Sequence, residues 1–193
     1  MWPSHLVTIL KTVRKKSLKY LLTLLTAFIL MIVFRALAFT TYTIDGQGLS
    51  PLFVSGDRVL VNRWSYGLRI GGTNSLFGYS RLCRQQVSKG DIVAFEDPRD
   101  KDRSKVLICR CKAVPGDTVN HNGKTIVIPG LKDCSDTDYY WMEAIGPSNG
   151  IDSRQLGLIS EKLIIGRVCR IAYSHDPSKS LFKGWRNRWM IHL

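Results

Sequence analysis

Acidic side chains are missing from both ends of this sequence, although the whole chain has 15 of them against 28 lysines and arginines. All charged residues in the segments 1–19 and 179–193 are lysines and arginines, five in the first segment and four in the second. These ends hold most of the formal net charge of +13. A nucleic-acid groove needs basic residues across the folded domain. The distribution therefore argues against nucleic acid and favours an anionic membrane surface as a partner.

Charge is also absent from residues 20–34, and after Arg35 the apolar run resumes to Phe39. Residues 20–39, Arg35 included, number twenty, which is close to the length that spans a hydrocarbon core. We therefore predict a transmembrane anchor over residues 20–39. The five basic residues before it predict a cytoplasmic N-terminus by the positive-inside rule. The protein is then a single-pass protein of the inner (plasma) membrane, with a periplasmic or otherwise extracytoplasmic domain.

The alternative for this segment is a cleaved signal peptide, with cleavage after the Ala-x-Ala of residues 36–38. A 15-residue apolar core is long for such a peptide, and Arg35 directly precedes the Ala-x-Ala. Both features favour an uncleaved anchor.

Long helical patterns are lacking after residue 40. Short β-type runs bounded by turn residues replace them, which predicts an all-β domain of mostly antiparallel strands. We divide the chain into a basic tail, the anchor, this domain and a second basic tail, at residues 1–19, 20–39, 40–175 and 176–193. Residues 66–86 and 129–150 are expected to be irregular. The predicted strands lie at residues 58–61, 92–95, 106–114, 125–128 and 163–173.

The C-terminal tail interleaves aromatic and basic residues, with Phe182, Trp185 and Trp189 at spacings of three and four. This pattern suits a membrane interface. It equally suits a segment that packs its aromatic rings on the domain, and the sequence leaves both alternatives open.

Paired C-x-x-C motifs are absent, which argues against a zinc site, and we expect no metal or cofactor. The cysteine count is odd, so at least one thiol has no partner within the chain. One or two disulfides are compatible with an oxidising compartment, and their pairing is open. The cysteines are Cys83, Cys109, Cys111, Cys134 and Cys169.

Three segments, in this order after the anchor, resemble the conserved boxes of the signal peptidase I family. Residues 44–62 contain IDGQGLSPLF and GDRVLVN, similar to the family's serine box and its continuation. Residues 90–117 contain GDIVAF and CRCKAVPGD, similar to the family's lysine strand. Residues 152–168 contain DSR and IGRV, similar to the third box and closing strand.

The resemblance implies a β-rich domain whose cleft binds an extended peptide by strand addition and accepts small Ala-x-Ala-type residues. It also implies a serine nucleophile and a lysine general base of lowered pKa. Counting from Pro51, however, the serine position is Gly48, and counting from Pro115 the lysine position is Cys109. Both catalytic positions are thus replaced. The remaining cleft and support residues are Pro51, Arg110, Asp117, Asp152, Ser153 and Arg154.

The leading hypothesis is a non-catalytic signal peptidase homologue of the protein export pathway. It would bind signal peptides or exported preproteins, or assist an active signal peptidase. The alternative is an active signal peptidase with a displaced dyad, formed by Ser50 with Lys112 or Lys105. Lys112 faces the opposite side of a strand from position 109, and Lys105 starts about 13 Å away along it.

A third hypothesis is cysteine chemistry at Cys109, because the neighbouring Arg110 could lower a thiol pKa. No histidine is placed to partner it, since His121 falls in a turn beside Asn122-Gly123. A buried or disulfide-bonded cysteine is the favoured interpretation.

Overall fold

The computed structural model describes residues 4–45, 49–71, 78–100, 104–133, 136–146, 150–180 and 182–188, with the backbone alone for residues 4–15 and Ala36. It separates into two units, of which the first ends at Ala38 and the second begins at Phe39. Within the first unit, helix α1 (Ser4–Ala38) contains an apolar stretch, Lys16–Arg35, long enough to cross a membrane. The side chains of this stretch are exposed.

The second unit is built on antiparallel strands. Eight of them form one sheet in the order β1-β2-β11-β5-β6-β9-β10, with β12 added to β11, and β3-β4 and β7-β8 form separate two-stranded pairs. The strands are β1 (Phe39–Thr43), β2 (Asp57–Asn62), β3 (Leu68–Ile70), β4 (Ser80–Leu82), β5 (Ile92–Glu96), β6 (Val106–Ala113), β7 (Thr118–His121), β8 (Lys124–Val127), β9 (Tyr139–Glu143), β10 (Ile159–Ser160), β11 (Ile164–His175) and β12 (Trp185–Arg186). Two short helices complete it: α2 (Ser153–Leu156) and a 3-10 helix (Glu161–Leu163).

The expected all-β antiparallel domain with one N-terminal apolar helix is confirmed. All five predicted strands are present, and the hairpin turn at Asn122-Gly123 has the positive φ values, 52° and 74°, that such a turn requires. His121 precedes this turn and packs its ring 5.4 Å from that of Trp141.

The expectation of irregular structure over residues 129–150 is wrong for β9. This strand pairs with β6 and β10, and its central residues Tyr140, Trp141 and Met142 are buried. The 66–86 segment likewise contains the short β3-β4 pair.

β11 is the longest described strand and lies inside the sheet, where it pairs with β2, β5 and β12. Gly166 permits the close approach to β2, since a Cβ there would lie 2.3 Å from the carbonyl oxygen of Asn62. Buried side chains pack on both faces of this sheet. One core cluster includes Phe95, Cys109 and Met142, and another includes Phe53, Val61 and Ile171.

The described part of the C-terminal tail packs on the domain through β12. Arg186 forms an ion pair with Asp176 at 2.9 Å, and the ring of Trp185 lies 5.6 Å from that of Tyr173. Arg188 donates to the carbonyl of Leu52 at 3.0 Å. The segment thus contacts the domain mainly through its arginines, whereas Phe182 and Trp185 are 92% and 62% exposed. Residues 182–188 therefore leave both alternatives for the aromatic rings open, and Trp189 lies outside the described residues.

Candidate functional site

Two strand edges face a groove of about 480 Å³. β1 pairs only with β2 in the described part of the chain, so its other edge is open. β6 pairs with β9 only from Arg110 onward, so no described strand pairs with the edge of Val106–Cys109 that points away from β5. Unpaired N–H and C=O groups on such edges are ready partners for an added strand.

The outward-pointing backbone groups of β1 follow from its hydrogen bonds. Ile44 donates its N–H to Asp57 and accepts from Gly56, so both of its groups face β2. Because these directions alternate along an antiparallel strand, the N–H and C=O of Thr43 point to the open edge.

The walls of the groove are mostly apolar. Ile44 and Leu49 come from the β1 side, Ile108 from β6, and Ala144 and Ile151 from the segment after β9. Ile44 and Leu49 belong to the box at residues 44–62, but sequence reasoning did not predict that they form a wall opposite Ile108. The alternation of apolar residues predicts that each wall is a half-buried strand. No local sequence pattern predicts that the two walls lie on either side of one groove. Such a surface suits an extended peptide with small apolar side chains.

Cys109 lies on β6 and lines the groove, but its side chain is 1% exposed. Its thiol donates to the carbonyl of Ile151 at 3.5 Å. Burial, together with the charge of Asp152, raises the pKa of Cys109 to about 12. The group is therefore a neutral thiol at pH 7, which is neither a general base nor the thiolate that cysteine nucleophiles require.

The cysteines differ in accessibility, which gives a first prediction. Cys83 and Cys169 are exposed free thiols, whereas Cys109 and Cys111 are buried free thiols. Native Cys109 should therefore react with a maleimide at least roughly a hundredfold more slowly than Cys169, and remain slow between pH 6 and 9 because its pKa is raised. Peptide mapping by mass spectrometry measures the rates and separates Cys134, which lies outside the described residues. Labelling of Cys109 at the rate of Cys169 contradicts this burial.

Asp152 and Ser153 lie beside Cys109, at the N-terminus of α2, and both are buried. Asp152 accepts hydrogen bonds from the backbone of Ala144 and from Arg154, and Ser153 accepts one from the backbone of Met142. Burial alone raises the pKa of Asp152, but the bonds from Arg154 and the backbone outweigh it and hold the pKa below its usual value. This cluster joins the end of β9 to α2 and so fixes one wall of the groove.

Three other expected site residues that the structure describes, Pro51, Arg110 and Asp117, are not among those that line the groove. Gly48 lies outside the described residues. Pro51 is exposed and follows a cis peptide bond. Arg110 is exposed on β6. Asp117 lies beyond the far end of β6, where it pairs with Lys89 at 2.8 Å and that bond lowers its pKa.

The lysines of the displaced-dyad hypothesis differ in position. Lys112 is exposed, on the opposite side of β6 from Cys109, and pairs with Glu143 at 3.6 Å. Lys105 is exposed and lines the groove beside Ser104. Ser50 is half-buried and, among the described residues, is not one of those that line the groove.

Comparison of the sequence with known families identifies the family to which this domain belongs. Residues 17–139 match the family model described as signal peptidase, peptidase S26. The chain therefore belongs to the signal peptidase family. The matched range includes Gly48 and Cys109 and ends before Asp152.

Two relatives illustrate the similarity. The chain is 28% identical over 119 residues to signal peptidase IB of Staphylococcus aureus, covering 62% of this chain and 52% of the relative. It is 25% identical over 170 residues to signal peptidase I V of Bacillus subtilis strain 168, covering 72% of this chain and 89% of the relative. The chain thus spans about half the length of the first relative. The apolar helix and these relatives together indicate a membrane-anchored protein.

Proposed function

We propose that this protein is a non-catalytic member of its family that holds signal peptides or exported preproteins without cutting them. Cys109 carries the proposal. At the position of the family's general base stands a buried neutral thiol, which cannot take a proton from a nucleophile at pH 7. The expected nucleophile position is Gly48, which has no hydroxyl.

Peptide binding needs neither of these groups. An extended peptide would add its backbone to the open edges of β1 and β6, and its small side chains would enter the apolar groove between them. The two walls are still braced, one by the pairing of β1 with β2 and the other by the buried cluster at Asp152.

The proposed placement follows from the charge of the N-terminal segment. Residues 1–19 would stay in the cytoplasm beside anionic lipid, residues 20–39 would cross the membrane, and the domain would stand on the extracytoplasmic side, where exported peptides emerge. We also propose that an active signal peptidase is a partner, to which bound preproteins pass for cleavage.

Replacing Thr43 with proline tests strand addition. Proline removes the N–H that points to the open edge, and it is tolerated on edge strands because the pairing with β2 does not use that group. We expect Thr43→Pro to weaken binding of a fluorescent signal-peptide analogue to the full-length protein roughly tenfold. The variant loses one backbone hydrogen bond to the peptide, and the proline ring weakens the adjoining ones.

Thr43→Val is the matched control, since it keeps the N–H and the β-branched shape and loses only the hydroxyl. It should bind the analogue as the parent does. Equal binding by the parent and Thr43→Pro, with both folded, argues against strand addition along β1.

One observation favours a second candidate, an active enzyme with a displaced base: Lys105 lines the groove. Its partner would be Ser50. A lysine becomes a base near neutral pH through burial, and the side chain of Lys105 is exposed. Preprotein cleavage by the parent that is lost in Ser50→Ala would establish this candidate.

A further inference from the structure

A second cavity, of about 370 Å³ and polar in character, lies beside the groove. Thr40 and Tyr42 of β1 line it, together with Arg63, Arg69 and Glu96. Tyr42 also lines the groove, so the two spaces share a wall.

The charges of this cavity do not balance. Arg69 and Glu96 form an ion pair at 2.8 Å, and each side chain is only 14% exposed. This pair is neutral overall. Arg63 has no ion-pair partner within the residues that the structure describes, so the cavity has one positive charge in excess. Burial raises the pKa of Tyr42, so its hydroxyl keeps its proton and can donate a hydrogen bond.

The cavity and the groove lie along the same strand. Thr40, Tyr42 and Ile44 are separated by two residues each, so their side chains share one side of the strand. A peptide along the open edge of β1 would also place every second side chain on that side, about 6–7 Å apart. The peptide residue level with Thr40 would thus be four residues from the one level with Ile44.

We propose that this cavity receives an acidic side chain of the peptide bound in the groove. The inference rests on the proposed function. Arg63 supplies a charge-assisted hydrogen bond to the carboxylate, and the hydroxyl of Tyr42 supplies a second donor. A peptide is favoured over a lipid phosphate because the shared wall at Tyr42 makes the cavity a continuation of the peptide groove.

A scan of peptide charge tests the proposal. All probes contain the same Ala-x-Ala sequence, and each has one Glu. The position of the Glu differs from probe to probe, on either side of the Ala-x-Ala, and each probe has a neutral match with Gln at the same position. Binding is measured with the full-length protein in neutral phosphatidylcholine nanodiscs. At one position, the Glu peptide should bind the parent roughly five- to tenfold more tightly than its Gln match. The preference should shrink at high salt.

The variants separate this cavity from the general attraction of a basic protein for acidic peptides. Arg63→Gln should bring the Glu-to-Gln ratio close to one at that position, and Arg63→Lys should restore part of it. Arg170→Gln is the matched control, because it removes the same charge from an exposed site on β11, outside the cavity. It should leave the position-specific ratio unchanged, and circular dichroism checks the fold of each variant.

The outcomes separate the two proposals. Binding of the Gln peptides without a preferred Glu position, or with a preference that survives Arg63→Gln, overturns the acidic subsite and leaves the proposed function intact. Loss of binding to phosphatidylglycerol vesicles in Arg63→Gln, with unchanged peptide ratios, assigns the cavity to lipid phosphate and also overturns it. Absence of binding by every peptide overturns both.

Discussion

The double variant Gly48→Ser plus Cys109→Lys is expected to cleave a preprotein that neither single variant cleaves. Position 109 is 1% exposed within an apolar cluster. The burial that raises the pKa of its thiol would lower the pKa of a lysine amine, because burial disfavours the charged form in both cases. The charge of Asp152 acts in the opposite direction on the amine, which it holds in its charged form. Because burial is the larger of the two effects at position 109, the pKa of the lysine would be lowered overall. The lysine would then act as the general base, and the serine would supply the nucleophile.

Cleavage by the double variant should exceed that of each single variant by at least about a hundredfold, the lower range of general-base catalysis. Mass spectrometry of a preprotein incubated with full-length protein measures it. Gly48→Ala plus Cys109→Lys is the matched control, since it has the same lysine and no hydroxyl. A double variant that is folded, binds the preprotein and still does not cut would contradict the assignment of these two positions.

Glu161→Gln is expected to lower the free energy of unfolding by about 1–3 kcal/mol, the usual cost of leaving a buried hydrogen-bonding group without its partner. The loss should stay below that of a fully buried ion pair, because the side chain of Arg84 is 34% exposed. Glu161 is 3% exposed and accepts from Arg84 Nε at 2.8 Å. It also lies 3.6 Å from Nε of Arg81, whose side chain is 1% exposed. The variant leaves these guanidinium groups beside a neutral amide, with Asp138 as the remaining carboxylate on Arg84.

Denaturant unfolding of the full-length protein in micelles measures this loss. Lys162→Gln is the matched control, because it removes a charge from the next residue, whose partner Asp136 is 76% exposed and 3.7 Å away. Its effect should stay within about 0.5 kcal/mol. Equal effects of the two substitutions would mean that the network around Glu161 contributes no more than a surface pair.

Much of the fold follows from local sequence signals. The runs that became β2, β5 and β6 are bounded by turn residues, and Asn122-Gly123 predicts the hairpin between β7 and β8 directly. β9 escaped prediction because the central residues of Tyr139–Glu143 are all buried, so the strand lacks the alternation of a half-exposed one. Its aromatic residues are equally typical of a packed loop.

The site was less accessible from sequence than the strands. Spacing from Pro51 and Pro115 pointed to Gly48 and Cys109, but the groove depends on the meeting of β1 with β6, which no local pattern encodes. The polar cavity is similar, since Arg63 and Glu96 come from segments far apart in the chain. The basic C-terminal tail gave no sign that Arg188 would contact the carbonyl of Leu52, in the loop that follows Gly48.

The most direct test of the central claim is to incubate the parent protein with a preprotein and follow binding and cleavage in the same sample. Fluorescence anisotropy reports the bound fraction, and mass spectrometry reports any cut. The neutral thiol of Cys109 and the missing hydroxyl at Gly48 predict a bound preprotein that stays intact over hours, and binding that weakens in Thr43→Pro. Cleavage at a single site by the parent, abolished in Ser50→Ala, would contradict the account.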